Sequence, residues 1–279
     1  LPSVLESRAA AMNLEITILG CGSSGGVPRL SQAGGDWGAC DPANPKNKRS
    51  RCSILVRRQT HAGETSVLVD TSPDMREQLL RANCGHLDSV LITHNHADQT
   101  HGIDDLRALV YAARKRLDVY SDRRGLDGLI HRFGYIFETP EGSEYPPIAN
   151  AHEIAEPFRA FEISGAGGAV PVLAFPQIHG AVRSLGFRFG NIAYSSDVSD
   201  LSDDAFAALQ GLDLWILDAL RYAPHPTHAN VETALAWIAR VKPARAVLTN
   251  LHIDLDYETL KRELPQHVEP AFDGMVLTA

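Results

Sequence analysis

Val90-Leu91-Ile92-Thr93-His94-Asn95-His96-Ala97-Asp98-Gln99-Thr100-His101-Gly102 is the stretch on which the reading of this chain turns. Three histidines and an aspartate fall within eight residues, directly behind an apolar run with the composition of a buried strand. If the chain stays extended past the strand end, His94 and His96 project to one side. Asp98 then follows on the same side, and three donors converge on one point, as a metal ion requires. The competing explanation is a solvated loop in which the histidines are incidental.

Working outward, Leu14–Leu19 alternates like a strand and runs into Gly20-Cys21-Gly22-Ser23-Ser24-Gly25-Gly26-Val27-Pro28. No GxGxxG register, no P-loop lysine and no helix pattern follow, so a flexible loop beside a site is favoured over a phosphate cradle. The polar section Ser31–Arg51 reads as a long ordered loop, because Trp37 and Cys40 are unusual residues to leave in water. Strands are expected at Cys52–Val56 and Val67–Val69, with a helix from near Pro73 through Leu80. A helix is predicted over Ile103–Leu117, its C-terminal end carrying Arg114, Lys115 and Arg116. The middle of the chain suggests a short strand at Val119–Tyr120, a helix near Leu126–Phe133 and a loop at Thr139–Asn150.

A strand-rich block follows at Phe158–Ile163, Val170–Phe175, Ser184–Phe189 and Ile192–Ser195, with Gly190-Asn191 as a hairpin turn. His179 and Asp197 stand at strand ends in this block. The final third alternates helix (Asp203–Leu209, Val231–Val241, Tyr257–Leu264) with strand (Leu214–Leu217, Ala246–Leu248). Asp218, His225, His228, Asn250 and His252 occupy the turns, the βα arrangement that gathers chemical groups along one sheet edge.

The net charge of −8 argues against a general nucleic-acid binder and against an anionic membrane surface as partner. A small anionic substrate stays compatible, because a bound metal inverts the local charge. Cys21, Cys40, Cys52 and Cys84 form no CxxC pair and read as reduced thiols, which points to the cytoplasm. No apolar run approaches the roughly 20 residues of a membrane span. Residues 1–11 read as a leader or disordered extension ahead of one domain over 12–279, and a dimer is compatible with the sequence.

Thr93-His94-Asn95-His96-Ala97-Asp98-x-x-x-Gly102 resembles the HxHxDH signature of the metallo-β-lactamase superfamily. The Asp70 turn, His179, Asp197 and the His228 segment follow in the matching order, so the resemblance covers nearly all of residues 12–279. Leu19-Gly20-Cys21-Gly22-Ser23-Ser24-Gly25-Gly26-Val27-Pro28 and Phe272-Asp273-Gly274-Met275 resemble its phosphodiesterase branch. That branch includes tRNase Z and, more similar here, the cyclic phosphodiesterase of phosphonate breakdown. The resemblance implies a four-layer αββα sandwich. It also implies a first metal, zinc or manganese, on His94, His96 and His179, with Asp197 bridging and Asp98 serving a second metal.

His228 matches the family's proton-donating histidine, and with Asp98 it makes up the implied catalytic pair. The implied activity is phosphodiester hydrolysis by metal-hydroxide attack on a small cyclic sugar phosphate or nucleotide-like substrate. A tRNase Z-like nuclease and a metal-dependent nucleotide-binding protein with little turnover are the alternatives. Gln99 and Asn250 stand where the family's second metal has histidines, so one firm site and a weakened second site are expected. His101 and His252, each two residues further on, compensate only if the backbone is re-registered. Ile253 replaces the histidine of the structural zinc in those relatives, and no structural zinc is expected.

Overall fold

The computed structural model describes residues 13–278, and the leader expected over residues 1–11 lies outside them. In chain order the strands are β1 (Leu14–Gly20), β2 (Arg29–Ser31), β3 (Gly34–Asp36), β4 (Ser53–Thr60), β5 (Gly63–Val69), β6 (Ser89–Leu91), β7 (Leu117–Ser121) and β8 (Ala149–Glu153). The second half adds β9 (Ala160–Ile163), β10 (Val170–His179), β11 (Val182–Phe189), β12 (Ile192–Ser195), β13 (Leu214–Asp218), β14 (Arg245–Thr249), β15 (Val268–Pro270) and β16 (Val276–Thr278). The helices are α1 (Met75–Arg81), α2 (Ala97–Thr100), α3 (Leu106–Ala113), α4 (Arg123–Phe133), α5 (Asp203–Ala208), α6 (Val231–Val241) and α7 (Tyr257–Glu263).

Strands such as Val67-Leu68-Val69 and Leu214-Trp215-Ile216-Leu217 are apolar at every position, as strands covered on both faces must be. Seven strands in the order β16-β1-β4-β5-β6-β7-β8 form one mixed sheet, and β15-β14-β13-β12-β11-β10-β9 form the other. Alternation sorts the side chains into layers. Val67, Val69, Leu214 and Ile216 point between the sheets, where they meet Ile16, Phe187, Tyr194 and Val247. Leu68 turns outward onto Met75, Leu106 and Leu126 of α1, α3 and α4. Trp215 and Leu217 turn outward onto Phe206, Ile238 and Leu260 of α5, α6 and α7. The result is the four-layer αββα sandwich. Among the described residues, no helix is long and apolar enough to cross a membrane.

Several elements depart from the sequence expectations. The helix predicted over Ile103–Leu117 is a 3-10 turn at Ile103–Asp105 followed by α3, which stops at Ala113. Arg114 turns left-handed at φ 52°, because Leu117 is needed as a buried side chain opening β7. The basic run therefore lies in a turn. Asn150, expected in a loop, is a member of β8 paired to Asp118. Ser31–Arg51 contains the hairpin strand β3 and a 3-10 turn at Pro45–Asn47. The glycine segment is stitched down rather than loose: Gly22 N–H donates to Ser50 O at 2.8 Å and Val27 N–H to Arg49 O at 2.8 Å.

Two polar clamps tie the segment before β4 to the segment after β14. The fully buried Arg49 donates from Nη1 to His252 O at 3.2 Å, and from Nη2 to Leu255 O at 2.7 Å and to Asn47 Oδ1 at 3.1 Å. Asp256, the N-cap of α7, accepts from Thr259 N at 3.0 Å, Asn47 Nδ2 at 2.7 Å and Asp41 N at 3.2 Å. Partial burial opposes its charge, but these donors outweigh it and hold the carboxyl down to about 2. Its contribution is complete above the ordinary value of 3.8 and is lost as pH falls towards 2. Asp256→Ala is expected to cost about 1 kcal/mol at pH 7, the usual worth of an N-cap. The deficit should shrink in acid, and urea unfolding at both pH values decides it; an undiminished midpoint at pH 7 contradicts the clamp.

Candidate metal centre

Parallel strands put their C-terminal ends on one edge, and the polar residues of the chain collect there. β5, β6 and β7 run parallel in the first sheet, as do β12, β13 and β14 in the second. β10 is two antiparallel steps from β12 and so ends on the same side, with His179 as its last residue. Asp70, Asp197 and Asn250, each just beyond a strand, turn left-handed at φ 65°, 51° and 63°. Asp and Asn adopt this conformation more readily than other residues with a β-carbon. Gly102 closes the histidine loop against the Asp70 turn, where a Cβ would lie 2.0 Å from Ser72 O.

The rings of His94, His96 and His179 stand almost at the corners of an equilateral triangle, with centroids 4.5, 5.1 and 5.1 Å apart. One nitrogen from each falls within 4.8 Å of the other two. Hydrogen bonding fixes which nitrogen faces inward. Thr93 Oγ1 donates its only proton to Asp70, 2.9 to 3.0 Å away, and lies 3.0 Å from His94 Nδ1, so it accepts that N–H. His94 Nε2 is left buried with no partner. His179 Nδ1–H donates to Thr227 O at 2.6 Å, freeing its Nε2 as well. Burial, then the neighbouring rings, hold His94 well below its ordinary value and His179 at about 4, so both are neutral bases. The unpartnered nitrogen of His94 and the convergence of three imidazoles fit a zinc- or manganese-type ion.

Asp197 and His228 adjoin this triangle. With His179 they form a second group of donor atoms mutually within 4.8 Å. Burial and the charge of Asp98 push Asp197 well above the usual carboxylate range. His228 Nδ1–H donates to the fully buried Asp218 Oδ2 at 2.8 Å, which also accepts from Val198 N at 3.0 Å. Burial opposes a charged His228, but the Asp218 bond and charge prevail and raise it to about 9. Burial raises the Asp218 carboxyl as well, so the pair holds a proton across this bond and is poised to give it up.

The remaining sequence candidates fall differently. The extended path expected through Asp98 ends at Ala97, where α2 begins, so Asp98 sits in a first helical turn instead of continuing the alternation of His94 and His96. Gln99 reaches the centre: its Nε2 lies 3.2 Å from both Asp98 Oδ2 and Asp197 Oδ2. Asn250 Nδ2 lies 3.2 Å from His228 Nδ1. His101 is exposed with its ring against Phe133, and His252 pairs with Asp254 at 3.0 Å. Neither joins a candidate metal group among the described residues. Sequence reasoning assigned no partner to His94 or His228. Asp70 and Asp218 each end an apolar strand on a lone acid, which is the available signal, but the pairing itself crosses loops.

Over residues 65–253 the chain matches the family described as a beta-lactamase superfamily domain. It belongs to the metallo-β-lactamase superfamily. A diphosphatase from the PhnP family has a crystal structure that superposes with a TM-score of 0.82 at 33% identity, covering 96% of this superfamily member and 98% of that chain. An octanoyltransferase of Porphyromonas gingivalis (strain ATCC BAA-308 / W83) is 32% identical over 263 residues, which is 92% of this chain but 50% of that protein. The chain thus spans half the length of that curated relative. Zinc-bound PqqB from Methylobacterium extorquens superposes at 0.70 with 19% identity over 94% of this chain and 99% of that one, a likeness of fold alone.

His96 is only half-buried, so His96→Ala removes a donor without opening a buried void. It is expected to weaken divalent-metal binding by more than the roughly 10- to 100-fold that loss of a supporting partner costs, with Thr93→Val showing the smaller effect. Elemental analysis after dialysis decides it, and full retention of metal by His96→Ala overturns the assignment.

Proposed function

We propose that this superfamily member is a metal-dependent hydrolase of phosphoric diesters, acting on a small phosphorylated substrate such as a cyclic sugar phosphate or a nucleotide-like ester. The observation that carries this is the triangle of His94, His96 and His179 with the hydrogen-bonded His228–Asp218 pair at its edge: a candidate cation site beside a proton donor. Similarity at 33% identity to a diphosphatase supports phosphorus chemistry, and the net charge of −8 disfavours a long polyanion. Four free, buried cysteines suit the cytoplasm.

His94, His96 and His179 would hold the ion, zinc or manganese, with Asp197 beside it. Such an ion, when bound, acidifies a water molecule and polarises a phosphoryl oxygen. The protein's own groups do the rest. Asp70 and Thr93 keep the inward nitrogen of His94 unprotonated, and the Thr227 carbonyl does the same for His179. Water adds to phosphorus as the ester P–O bond breaks, and His228 gives its proton to the departing oxygen. Asp218 holds the ring in place throughout and stabilises its charged form between turnovers.

A positioned acid of this kind contributes about 10²- to 10⁴-fold when the leaving group is poor. His228→Ala should lose turnover of an alkyl phosphodiester on that scale, yet keep most of its activity towards bis-p-nitrophenyl phosphate, whose leaving group departs unaided. Steady-state rates on both substrates test the proposal. Equal losses would assign His228 to binding or packing and remove the acid from the mechanism.

A further inference from the structure

Two carboxylates, Asp98 and Asp197, converge on a single amide. Gln99 is almost fully buried, and its Nε2 sits 3.2 Å from Asp98 Oδ2 and 3.2 Å from Asp197 Oδ2. Its backbone is clamped from two sides: Thr71 N–H donates to Gln99 O at 2.8 Å, and Gln99 N–H donates to His96 O at 3.2 Å. In the adopted orientation the amide nitrogen lies between one oxygen of each acid. The adopted orientation leaves Oε1 buried with no partner, an unfavourable arrangement tolerated because both N–H bonds go to acids.

Two acids that meet at one group ordinarily share a proton or take a cation between them. Here the space is taken by a neutral group that offers two partial positive charges and no net charge. Asn250 brings a second amide to the opposite flank, 3.2 Å from His228 Nδ1. A cation entering between Asp98 and Asp197 would have to evict the Gln99 N–H groups and break both bonds.

We infer that the Gln99 carboxamide stands in for a second cation, so that the centre is mononuclear, with its ion on His94, His96 and His179. The amide ties Asp98 to Asp197 and keeps the two acids together, the tethering a second ion would otherwise perform. Its orphan Oε1 can be presented to an incoming ion only by rotating the amide, which forfeits both acid bonds; any second ion therefore binds weakly. This rests on the metal-dependent reading proposed above.

Metal-free protein titrated with Mn²⁺, followed by equilibrium dialysis with elemental analysis and by electron paramagnetic resonance, tests it. The expected result is about one tight ion per chain with the spectrum of an isolated Mn²⁺, any second ion binding at least roughly 100-fold more weakly. Gln99→Glu, which replaces the donor amide by a third carboxylate, is expected to take up a second ion and show the spectrum of a coupled pair. Two tight ions in the unaltered protein, or a folded Gln99→Glu that still binds one, would overturn the inference while leaving metal-dependent hydrolysis standing. No tight ion in either protein would remove both. If Gln99→Glu fails to fold by circular dichroism, the stoichiometry of the unaltered protein decides alone.

Discussion

Buried imidazoles cannot turn unprotonated nitrogens towards one another unless their other nitrogens have somewhere else to send an N–H. That requirement organises the edge of this sandwich. Thr93 and Asp70 answer it for His94, and the Thr227 carbonyl answers it for His179. Asp70 and Thr93 stand just beyond β5 and β6 and Thr227 lies in the loop after β13, so the triangle depends on strands of both sheets ending along one edge. The inward nitrogens that result are what would hold a cation at this edge. The outer ring of acids, amides and His228 is arranged around that centre.

The arrangement also shows how a single edge can hold opposite protonation states a few ångströms apart. His179 and His228 have ring centroids 4.6 Å apart, yet one is held neutral and the other charged. The difference lies in what receives the Nδ1 proton: a backbone carbonyl for His179 and a buried carboxylate for His228. A carbonyl fixes a tautomer without favouring the cation, whereas a carboxylate does both.

Much of this was legible in the sequence. The double-faced burial of Val67–Val69 and Leu214–Leu217 shows as unbroken apolar runs, and α6 coincides with its expected bounds at Val231–Val241 because Asn230 caps one end and left-handed Lys242 closes the other. The crowding of His94, His96 and Asp98 announces a site on its own. What composition and periodicity miss is tertiary. The end of α3 is set by where Leu117 must enter the sheet. The helix beginning at Ala97 diverts Asp98 from the extended path. The partners Asp70–Thr93 and Asp218–His228 lie 23 and 10 residues apart, separations at which no local pattern connects them. Gln99 illustrates the difficulty best: as a letter it is a missing ligand, and only the fold reveals the two acids it joins.

Arg49 adds a mechanical consequence. Its guanidinium lies in the protein interior and binds the carbonyls of His252 and Leu255 together with Asn47 Oδ1, with Cys40 Sγ at 3.8 Å. Its fork therefore rivets the approach to β4, in one sheet, to the segment leaving β14, in the other. Carbonyl oxygens hold such a fork through several weak bonds at fixed angles, so sliding one segment past the other would break them together. On this flank a single side chain fastens the two sheets to each other, so the spacing between the segment entering β4 and the segment leaving β14 is set by the reach of one guanidinium.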